Sequence, residues 1–346
     1  MTCTAEEPDS DADLLGIIRR LGLVRSDASI ALTRLEGGVS SDIWKIETGG
    51  HAFVVKRALP KLRVAAEWHA PVSRNRYEAA WMETVASILP EAVPRLLGSD
   101  VDAGLFAMEY CDPSLFPVWK AELLGGHVDI EVAREVGRHL ATIHSRTAHN
   151  EHCRRCFATD KIFHAMRLEP YFEATALRHP AIVNRLFALS RETLATKLAL
   201  VHGDISPKNI LVGRPGPVFI DAECAWYGDP AFDVAFCLNH LLLKCIAVPT
   251  AGPRLLASFE ALASNYFARV DWEPRTELER RVGQLLPALF LSRVDGKSPV
   301  EYITSEADRQ LVRATALPLI WVPPSSPEEL KLAWRARLRL SRRINE

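Results

Sequence analysis

The sequence predicts an α+β protein with two lobes, a β-rich N-terminal lobe and a mostly helical C-terminal lobe. Short apolar runs separated by turn signals dominate the chain up to residue 111, and helical spacing of apolar residues dominates from residue 112 onward. The length of 346 residues also exceeds what a single hydrophobic core usually organises. We therefore predict an N-terminal lobe of residues 1–111, with a leading helix, and a C-terminal lobe of residues 112–346.

The N-terminal lobe combines two helical patterns with several short strands. Helical spacing covers residues 10–24, closing near Gly22, and residues 74–89, ending before Pro90. Strand-like runs occupy residues 31–35, 43–48, 52–56 and 105–110. The glycine pair at 49 and 50 joins the second and third runs as a tight turn. This arrangement predicts a β-hairpin whose second strand ends in a lysine, and a hinge near residues 110–113.

The C-terminal lobe is predicted to be helical with a short β-insert. Apolar residues have the helical period in five segments: 129–145, 181–197, 231–247, 254–269 and 276–292. Three short apolar runs interrupt this pattern, at 199–201, 210–212 and 218–220. Because runs this short suit strands better than helices, we place a small β-insert in the middle of the lobe.

The composition limits the partners of the protein. The 42 basic and 43 acidic residues nearly cancel, so no overall positive field for nucleic acid is expected. No apolar run is long enough to span a bilayer, so no membrane partner is expected. Seven cysteines and an acidic N-terminal stretch without a signal-like segment favour the cytoplasm and free thiols. The sequence leaves both a monomer and a homodimer open.

The segment between residues 201 and 221 has the pattern most closely tied to chemistry. Asp204 follows one short apolar run, Asn209 precedes the next, and Asp221 follows a third. A carboxylate can orient an attacking hydroxyl and accept its proton, and carboxylate and amide oxygens are suitable ligands for Mg²⁺. Each residue alone is typical of a turn or a helix cap, but the combined spacing is that of the catalytic loop of kinases.

The chain resembles the aminoglycoside phosphotransferase and choline-kinase-like family, the small-molecule branch of the protein-kinase-like fold. The resemblance spans roughly residues 30–300 and includes the Gly-Asp-Pro-x-x-Asp segment at 228–233. The catalytic loop begins His-Gly-Asp where protein kinases have His-Arg-Asp, and Asp221-Ala222-Glu223 replaces their Asp-Phe-Gly. Both differences point away from protein substrates.

This resemblance implies roles for the residues of the loop. Asp204 would be the catalytic base, and Lys208 would either touch the transferring phosphate or face solvent. Asn209 and Asp221 would be the ligands of Mg²⁺. Structural support would come from three further residues, His202, Asp229 and Asp233. Of these, Asp233 would brace the loop from the start of the following helix.

The resemblance also implies that ATP or GTP binds the N-terminal lobe. Lys56 would pair with the α- and β-phosphates and Glu78 would hold Lys56, although Glu83 on the same helix is an alternative. The adenine-facing hinge would consist of Met108, Glu109, Tyr110 and Cys111. The phosphate-contacting turn would contain Gly37, Gly38, Ser40 and Ser41. Because this turn lacks the Gly-x-Gly-x-x-Gly pattern, a hairpin turn without nucleotide contact remains the alternative.

The substrate site is predicted from polar residues in the C-terminal lobe. His240 and Lys244 follow Asp233 at helical spacing, so all three lie on one stripe of a helix. A second polar cluster follows at residues 293–298. The candidate substrate residues are Tyr227, His240, Lys244, Arg293, Asp295 and Lys297. As a group they suit a polar, anionic or polyhydroxylated metabolite, whereas each one alone would be an ordinary surface or packing residue.

The predicted function is a small-molecule kinase that phosphorylates a hydroxyl group. One alternative is an aminoglycoside-type antibiotic phosphotransferase, although cationic drugs call for an acidic pocket and the predicted cluster contains Lys244, Arg293 and Lys297. The other alternative is a pseudokinase that binds nucleotide without turnover. The joint presence of Asp204 and two candidate metal ligands disfavours the pseudokinase.

Overall fold

The computed structural model describes residues 10–35, 41–59 and 71–345. The chain divides into two units. The first extends to Glu83 and includes Pro94–Cys111, and the second contains Thr84–Val93 and continues from Asp112. The first unit is built on an antiparallel sheet and the second is mostly helical. The predicted α+β class, with a β-rich N-terminal part and a helical C-terminal part, is thereby confirmed.

The first unit contains a five-stranded antiparallel sheet in the order β1-β2-β3-β5-β4. Its strands are β1 (Ala31–Arg34), β2 (Ser41–Thr48), β3 (His51–Ala58), β4 (Leu96–Asp100) and β5 (Leu105–Glu109). Two helices begin in this unit, α1 (Ser10–Arg20) and α2 (Arg74–Ala86). Gly49 and Gly50 join β2 to β3 with φ angles of 55° and 82°. Because both angles are positive, this two-residue hairpin turn favours glycine at each position.

The core of the first unit lies between α1 and the sheet. Its buried members from α1 and the central strands include Leu14, Ile17, Ile18, Trp44, Ile46, Phe53, Val55 and Leu105. The predicted leading helix is therefore part of this core. It ends at Arg20, earlier than predicted, and Gly22 follows with a φ of 70°, a left-handed conformation that terminates helices.

The second unit contains most of the helices. They are α3 (Trp119–Leu124), α4 (Ile130–Thr147), α5 (Glu151–Cys156), α6 (Asp160–Phe163), α7 (Ala174–Arg178), α8 (Val183–Ala195), α9 (Ala231–Ala247), α10 (Gly252–Phe267), α11 (Arg275–Asp295), α12 (Glu306–Trp321) and α13 (Pro327–Asn345). Its strands are β6 (Ala199–Val201), β7 (Ile210–Gly213), β8 (Gly216–Phe219) and β9 (Trp226–Gly228). β6 pairs with β9, and β7 pairs with β8. None of the helices in the described ranges combines the length and apolar composition needed to cross a membrane.

Several short elements of the structure were not predicted, among them two strands and a π-helix. β4 and β9 are short strands without a strong alternating pattern, and both are held by pairing with a neighbour. Between α6 and α7, residues His164–Glu173 form a π-helix with Pro170 inside it. Because proline has no N–H to donate, a regular α-helical ladder cannot continue through this position. The wider turn places a buried arginine, Arg167, near the catalytic loop.

Helix α9 is buried on nearly all of its faces. Every residue from Ala231 to Cys245 is buried, including Asp233, His240 and Lys244. Charged residues are rarely buried in this way without a partner or a function. This burial makes the polar residues of α9 the first candidates for the functional site.

Candidate active site

The predicted catalytic loop, residues 202–209, connects β6 to β7 and contains the 3₁₀ turn Pro207–Asn209. At its start, Gly203 has a φ of 79°. A Cβ atom at this position would lie 2.7 Å from the carbonyl oxygen of Cys224. Both the left-handed backbone and the close approach therefore require glycine between His202 and Asp204.

Asp233 holds the first residues of the loop from the first turn of α9. Its two carboxylate oxygens accept hydrogen bonds from the backbone N–H groups of His202 and Gly203, each at 2.8 Å. The His202 ring accepts from the backbone N–H of Asp204 through Nδ1 at 3.2 Å, so Nε2 donates to the carbonyl oxygen of Ile220 at 3.1 Å. Burial lowers the pKa of His202, which favours this neutral form.

Asp229 supports the beginning of α9. One of its carboxylate oxygens accepts from the backbone N–H of Ala231 at 3.0 Å. Arg281 Nε donates to both oxygens, at 3.1 and 3.0 Å. The carboxylate thus connects the start of α9 to α11.

Asp204 is buried and is contacted by two cations. Arg167 Nη2 lies 2.8 Å and Lys208 Nζ lies 3.0 Å from Asp204 Oδ2. Arg167 also donates from Nε to the carbonyl oxygen of Gly203 at 2.6 Å. Burial alone would raise the pKa of Asp204, but the positive charges of Arg167 and Lys208 outweigh it and lower the pKa. The carboxylate is therefore ionised at neutral pH.

The second carboxylate oxygen of Asp204 is available to a ligand. Oδ1 is buried and has no hydrogen-bond partner among the described residues. Buried carboxylate oxygens are normally satisfied, so an open one in a charged setting indicates a site for an external donor. A hydroxyl group placed here would be oriented by the oxygen that can also accept its proton.

Asn209 and Asp221 present oxygen atoms suited to Mg²⁺. Asn209 Nδ2 donates to the backbone oxygen of Asp204 at 3.0 Å, which leaves the amide oxygen as the acceptor for a cation. Asp221 follows β8 with a φ of 67° and is partly buried. No group of three His, Cys, Asp or Glu side chains forms a metal site in the described part of the chain. A pair of oxygen donors still fits Mg²⁺, because this ion usually keeps several waters and binds substrate phosphates.

Lys56 and Glu78 form a buried ion pair in the first unit. Lys56 Nζ lies 2.9 and 2.7 Å from the two carboxylate oxygens of Glu78, and both side chains are at most 3% exposed. Glu78, the predicted partner, is thus the residue of α2 that contacts Lys56, and Glu83 is exposed. Asn75 fixes the strand by donating to the backbone oxygen of Lys56 at 3.1 Å.

The other predicted nucleotide residues of the first unit are only partly described. Gly37, Gly38 and Ser40 lie outside the described residues. Ser41 begins β2 and is buried, and its hydroxyl has no hydrogen-bond partner among the described atoms. The predicted hinge residues lie at the end of β5 and just after it: Met108, Glu109, Tyr110 and Cys111. The ring of Tyr110 lies 4.6 Å from Lys45 Nζ, and burial followed by the charge of Glu109 raises the pKa of Cys111 to about 11.

The six candidate substrate residues fall into two groups. His240, Lys244 and Arg293 line one small cavity together with Lys208 of the catalytic loop. The other three lie elsewhere, namely Tyr227, Asp295 and Lys297. Side chains that are neighbours in sequence can point in different directions. At the end of α11, Arg293 and Asp295 are two positions apart and therefore lie on different sides of the helix.

The three separated residues have partners of their own. The Tyr227 hydroxyl donates to the carbonyl oxygen of Leu198 at 2.8 Å, so this side chain packs within the fold and does not line the cavity. Asp295 accepts from Arg313 at 2.8 and 2.7 Å and contacts His179 at 2.8 Å. These contacts make Asp295 part of a salt-bridge network at the end of α11.

Lys297 lies just beyond the end of α11 and contacts Glu169 at 2.6 Å. It is partly exposed and does not line the cavity. Its charge is compensated by this carboxylate, which distinguishes it from the lysine on α9.

Sequence reasoning missed Arg167 and Lys120. Arg167 contacts Asp204, and Lys120 of α3 lines the same cavity as Lys244. Neither lies near the catalytic loop in sequence, and neither belongs to a recognisable motif. The proline within the π-helical segment was the one local signal near Arg167, since it marks a break in regular helix geometry.

Comparison with known proteins gives one family and several relatives. The model of the phosphotransferase enzyme family matches residues 31–278. A methylthioribose kinase of Pectobacterium carotovorum subsp. carotovorum (strain PC1) is 28% identical over 308 residues, covering 80% of this chain and 73% of the relative. A methylthioribose kinase of Yersinia pseudotuberculosis serotype O:3 (strain YPIII) is 29% identical over 273 residues, covering 70% and 67%.

Among solved structures, an amicoumacin kinase in complex with AMP-PNP and Ca²⁺ superposes with a TM-score of 0.53. The match covers 92% of this chain and 95% of that chain at 11% sequence identity. At this identity the similarity concerns the fold alone.

Proposed function

Because the chain belongs to the phosphotransferase enzyme family, we propose that it is a kinase of a small polar metabolite that uses ATP or GTP with Mg²⁺. The relatives named methylthioribose kinase support a hydroxyl-bearing small molecule as the acceptor. The observation that carries the proposal is the state of Asp204, which is buried, held ionised by two cations and open at Oδ1.

In this proposal the reaction is a direct transfer from nucleotide to acceptor. The acceptor hydroxyl donates its hydrogen bond to Asp204 Oδ1, and its oxygen forms a bond to the γ-phosphorus as the bond between that phosphorus and the β,γ-bridging oxygen breaks. The hydroxyl proton passes to Asp204, and the nucleoside diphosphate leaves with the bridging electron pair. Arg167 and Lys208 keep Asp204 ionised before the transfer.

The remaining site residues bind and orient. Asn209 and Asp221 would hold Mg²⁺, which neutralises phosphate charge when bound. Lys56, fixed by Glu78, would contact the nucleotide phosphates, and the open hydroxyl of Ser41 would donate to them. Residues 108–111, at the end of β5 and just after it, would contact the nucleotide base through backbone groups.

Two observations weigh against the alternative functions, an antibiotic phosphotransferase and a pseudokinase. An aminoglycoside-type acceptor is cationic, and the cavity beside the catalytic loop contains Lys120, Lys208, Lys244 and Arg293. Repulsion by these groups disfavours a cationic acceptor. A pseudokinase would have no need for an ionised, open carboxylate together with two metal-ligand candidates.

The test is turnover of ATP with Mg²⁺ against a pool of polar metabolites that includes methylthioribose, followed by mass spectrometry. The wild type is compared with Asp204→Asn. A phosphorylated product formed only by the wild type is the expected result. Nucleotide binding without any phosphorylated product across the pool would favour the pseudokinase alternative.

A further inference from the structure

A small cavity in the second unit contains an excess of positive charge. Its volume is about 30 Å³, and its lining comes from α3, the catalytic loop, α9, α11 and residues 300–302. Four cationic side chains reach it, those of Lys120, Lys208, Lys244 and Arg293. Like charges placed together in a buried region repel one another, so their arrangement needs compensation.

Carboxylates compensate only two of the four cations. Lys208 contacts Asp204, and Lys120 forms an ion pair with Glu301. Lys244 is 1% exposed and forms no ion pair with any described residue. Its ammonium lies over the ring of Tyr302, whose centroid is 5.0 Å from Nζ.

Arg293 is also without a carboxylate. It is 8% exposed, and Nη1 donates to the hydroxyl of Tyr171 at 3.0 Å and to the backbone oxygen and hydroxyl of Ser298. All of these acceptors are neutral. Lys244 and Arg293 are therefore two basic side chains with no carboxylate in ion-pair contact within the described part of the chain.

The same cavity has several polar atoms without partners. Ser206 Oγ, His240 Nε2, Arg293 Nε and the hydroxyl of Tyr302 are all buried, and none forms a hydrogen bond with a described residue. Leaving buried donors unsatisfied is unfavourable, and native proteins do so chiefly where a ligand or an ion completes the bonds. Four such atoms beside two basic side chains without a carboxylate partner form a site suited to an anion.

We propose that this cavity binds an anionic group of the acceptor substrate, a carboxylate or a phosphate, while the acceptor hydroxyl lies at Asp204. The placement of the acceptor hydroxyl at Asp204 rests on the proposed kinase function. Lys208 connects the two positions, because it contacts Asp204 and also lines the cavity. Ser206 also lines the cavity and lies two residues after Asp204, which brings the two positions onto one short segment of the chain. The acceptor is therefore a small hydroxylated anion.

The electrostatics of the cavity agree with this assignment. Burial, followed by the charge of Lys120, lowers the pKa of Lys244 to about 7, and burial with the neighbouring cations lowers the pKa of His240 well below its usual range. An anion would offset both effects by restoring the charge of Lys244 and accepting hydrogen bonds from the ring and the hydroxyls.

The first test measures anion binding without any turnover. Acetate and inorganic phosphate are titrated separately into nucleotide-free protein at pH 6.5, and the shift in Tm and the Kd are recorded. The variants are Lys244→Met, which removes the buried charge at similar volume, and Lys161→Met, a matched control at an exposed position. A parallel melt without anion checks that each variant is folded.

The expected result is stabilisation of the wild type and of Lys161→Met by at least one of the two anions, with a Kd for Lys244→Met at least about tenfold higher. A larger response to acetate would identify a carboxylate, and a larger response to phosphate would identify a phosphate group. Equal responses in wild type and Lys244→Met, or no response in the wild type, would overturn the proposal.

The second test separates this inference from the kinase function itself. Small hydroxycarboxylates and hydroxyalkyl phosphates are offered with ATP and Mg²⁺ beside their uncharged amides or esters and beside methylthioribose, a neutral sugar. A higher kcat/KM for an anionic member, lost in Lys244→Met, supports the inference. Turnover of neutral acceptors alone, unaffected by Lys244→Met, would overturn it and leave the kinase function intact. Failure of every acceptor would count against the kinase function, and the anion titration would still decide the cavity.

Discussion

Arg167 and Asp204 form a buried ion pair in which Arg167 Nη2 lies 2.8 Å from Asp204 Oδ2. Since Lys208 contacts the same oxygen, both cations act on one side of the carboxylate and leave Oδ1 open. The arrangement keeps the carboxylate ionised and also fixes the direction in which it can accept a proton. Arg167 is thus a positioning residue for Asp204 in the proposed reaction.

Asp204→Asn is expected to lower kcat by about 10²- to 10⁴-fold, because the amide cannot accept the hydroxyl proton. Binding of the nucleotide should be unchanged, since Asp204 contacts the acceptor in the proposed mechanism. Steady-state kinetics and nucleotide calorimetry measure the two effects. Asp102→Asn, at an exposed position, serves as the control. Retention of full kcat in Asp204→Asn would exclude its role as the base.

Arg167→Met is expected to raise the pKa of Asp204, because the first cation that offsets its burial is removed. The acidic limb of the kcat–pH profile should move to higher pH by about one unit, since Asp204 must be ionised to act as a base. Arg155→Met, at an exposed position, should leave the limb in place. A uniform fall in kcat with an unshifted limb would point to a purely structural role for Arg167.

Glu78→Gln is expected to destabilise the protein by about 3 kcal/mol, because it leaves Lys56 as a buried cation without its carboxylate. The KM for ATP should rise as Lys56 loses its fixed position. Glu83→Gln lies on the same helix at an exposed position and should change neither quantity. Urea unfolding and ATP saturation curves give the comparison. Equal behaviour of the two variants would contradict the proposed role of the buried pair.

Asp221→Asn is expected to raise the Mg²⁺ concentration needed for half-maximal activity by about tenfold or more, because a neutral amide binds this cation more weakly than a carboxylate. Activity should recover in part at high Mg²⁺. The measurement is the Mg²⁺ dependence of kcat at saturating ATP. An unchanged Mg²⁺ dependence would remove Asp221 from the set of metal ligands.

Lys244 is expected to make stability depend on pH. With a pKa of about 7 in the folded protein and an ordinary value of 10.5, it is deprotonated when folded and protonated when unfolded between these limits. The unfolded state then binds more protons, so its contribution to the free energy of unfolding rises with pH from about 7 to 10.5. The charged groups that act on it are Lys120, Glu301 and Arg293.

Urea unfolding of wild type and Lys244→Met at pH 6.5, 8 and 9.5 checks this expectation. The variant should be the more stable protein at pH 6.5, because it lacks a buried uncompensated cation, and the wild type should gain on it as pH rises. A difference that is the same at all three values would show that Lys244 keeps its charge throughout this range.

The local pattern of the chain predicted several candidate site residues together. Asp204, Asn209 and Asp221 lie in one loop and at the end of the next hairpin, so strand-like runs and their spacing identify them together. The family was predicted from the same motifs and is confirmed by the match over residues 31–278. Helix α9 was predicted with its observed bounds because its apolar residues have a clear helical period.

The polar stripe of α9 was also predicted in part from the sequence. Helical spacing predicted that Asp233, His240 and Lys244 lie on one side of the helix. In the structure Asp233 accepts hydrogen bonds from the catalytic loop, and the other two residues line the cavity. Tyr227, Asp295 and Lys297 were grouped with them because they are close in sequence to the same motifs, and the structure places all three outside the cavity lining. Sequence proximity to a motif does not determine the direction of a side chain in a strand or at a helix end.

The sequence by itself determined the α+β class and the family, and it predicted the candidate residues of the catalytic loop, because each depends on short-range periodicity or on spacing within one segment. Only the tertiary structure decided that Arg167 faces Asp204 and that Lys120, Lys244 and Arg293 share one cavity. These residues come from separate helices, and their proximity results from packing of distant segments. Charge compensation and burial are properties of that packing, so no local pattern could reveal which cations have a carboxylate partner and which do not.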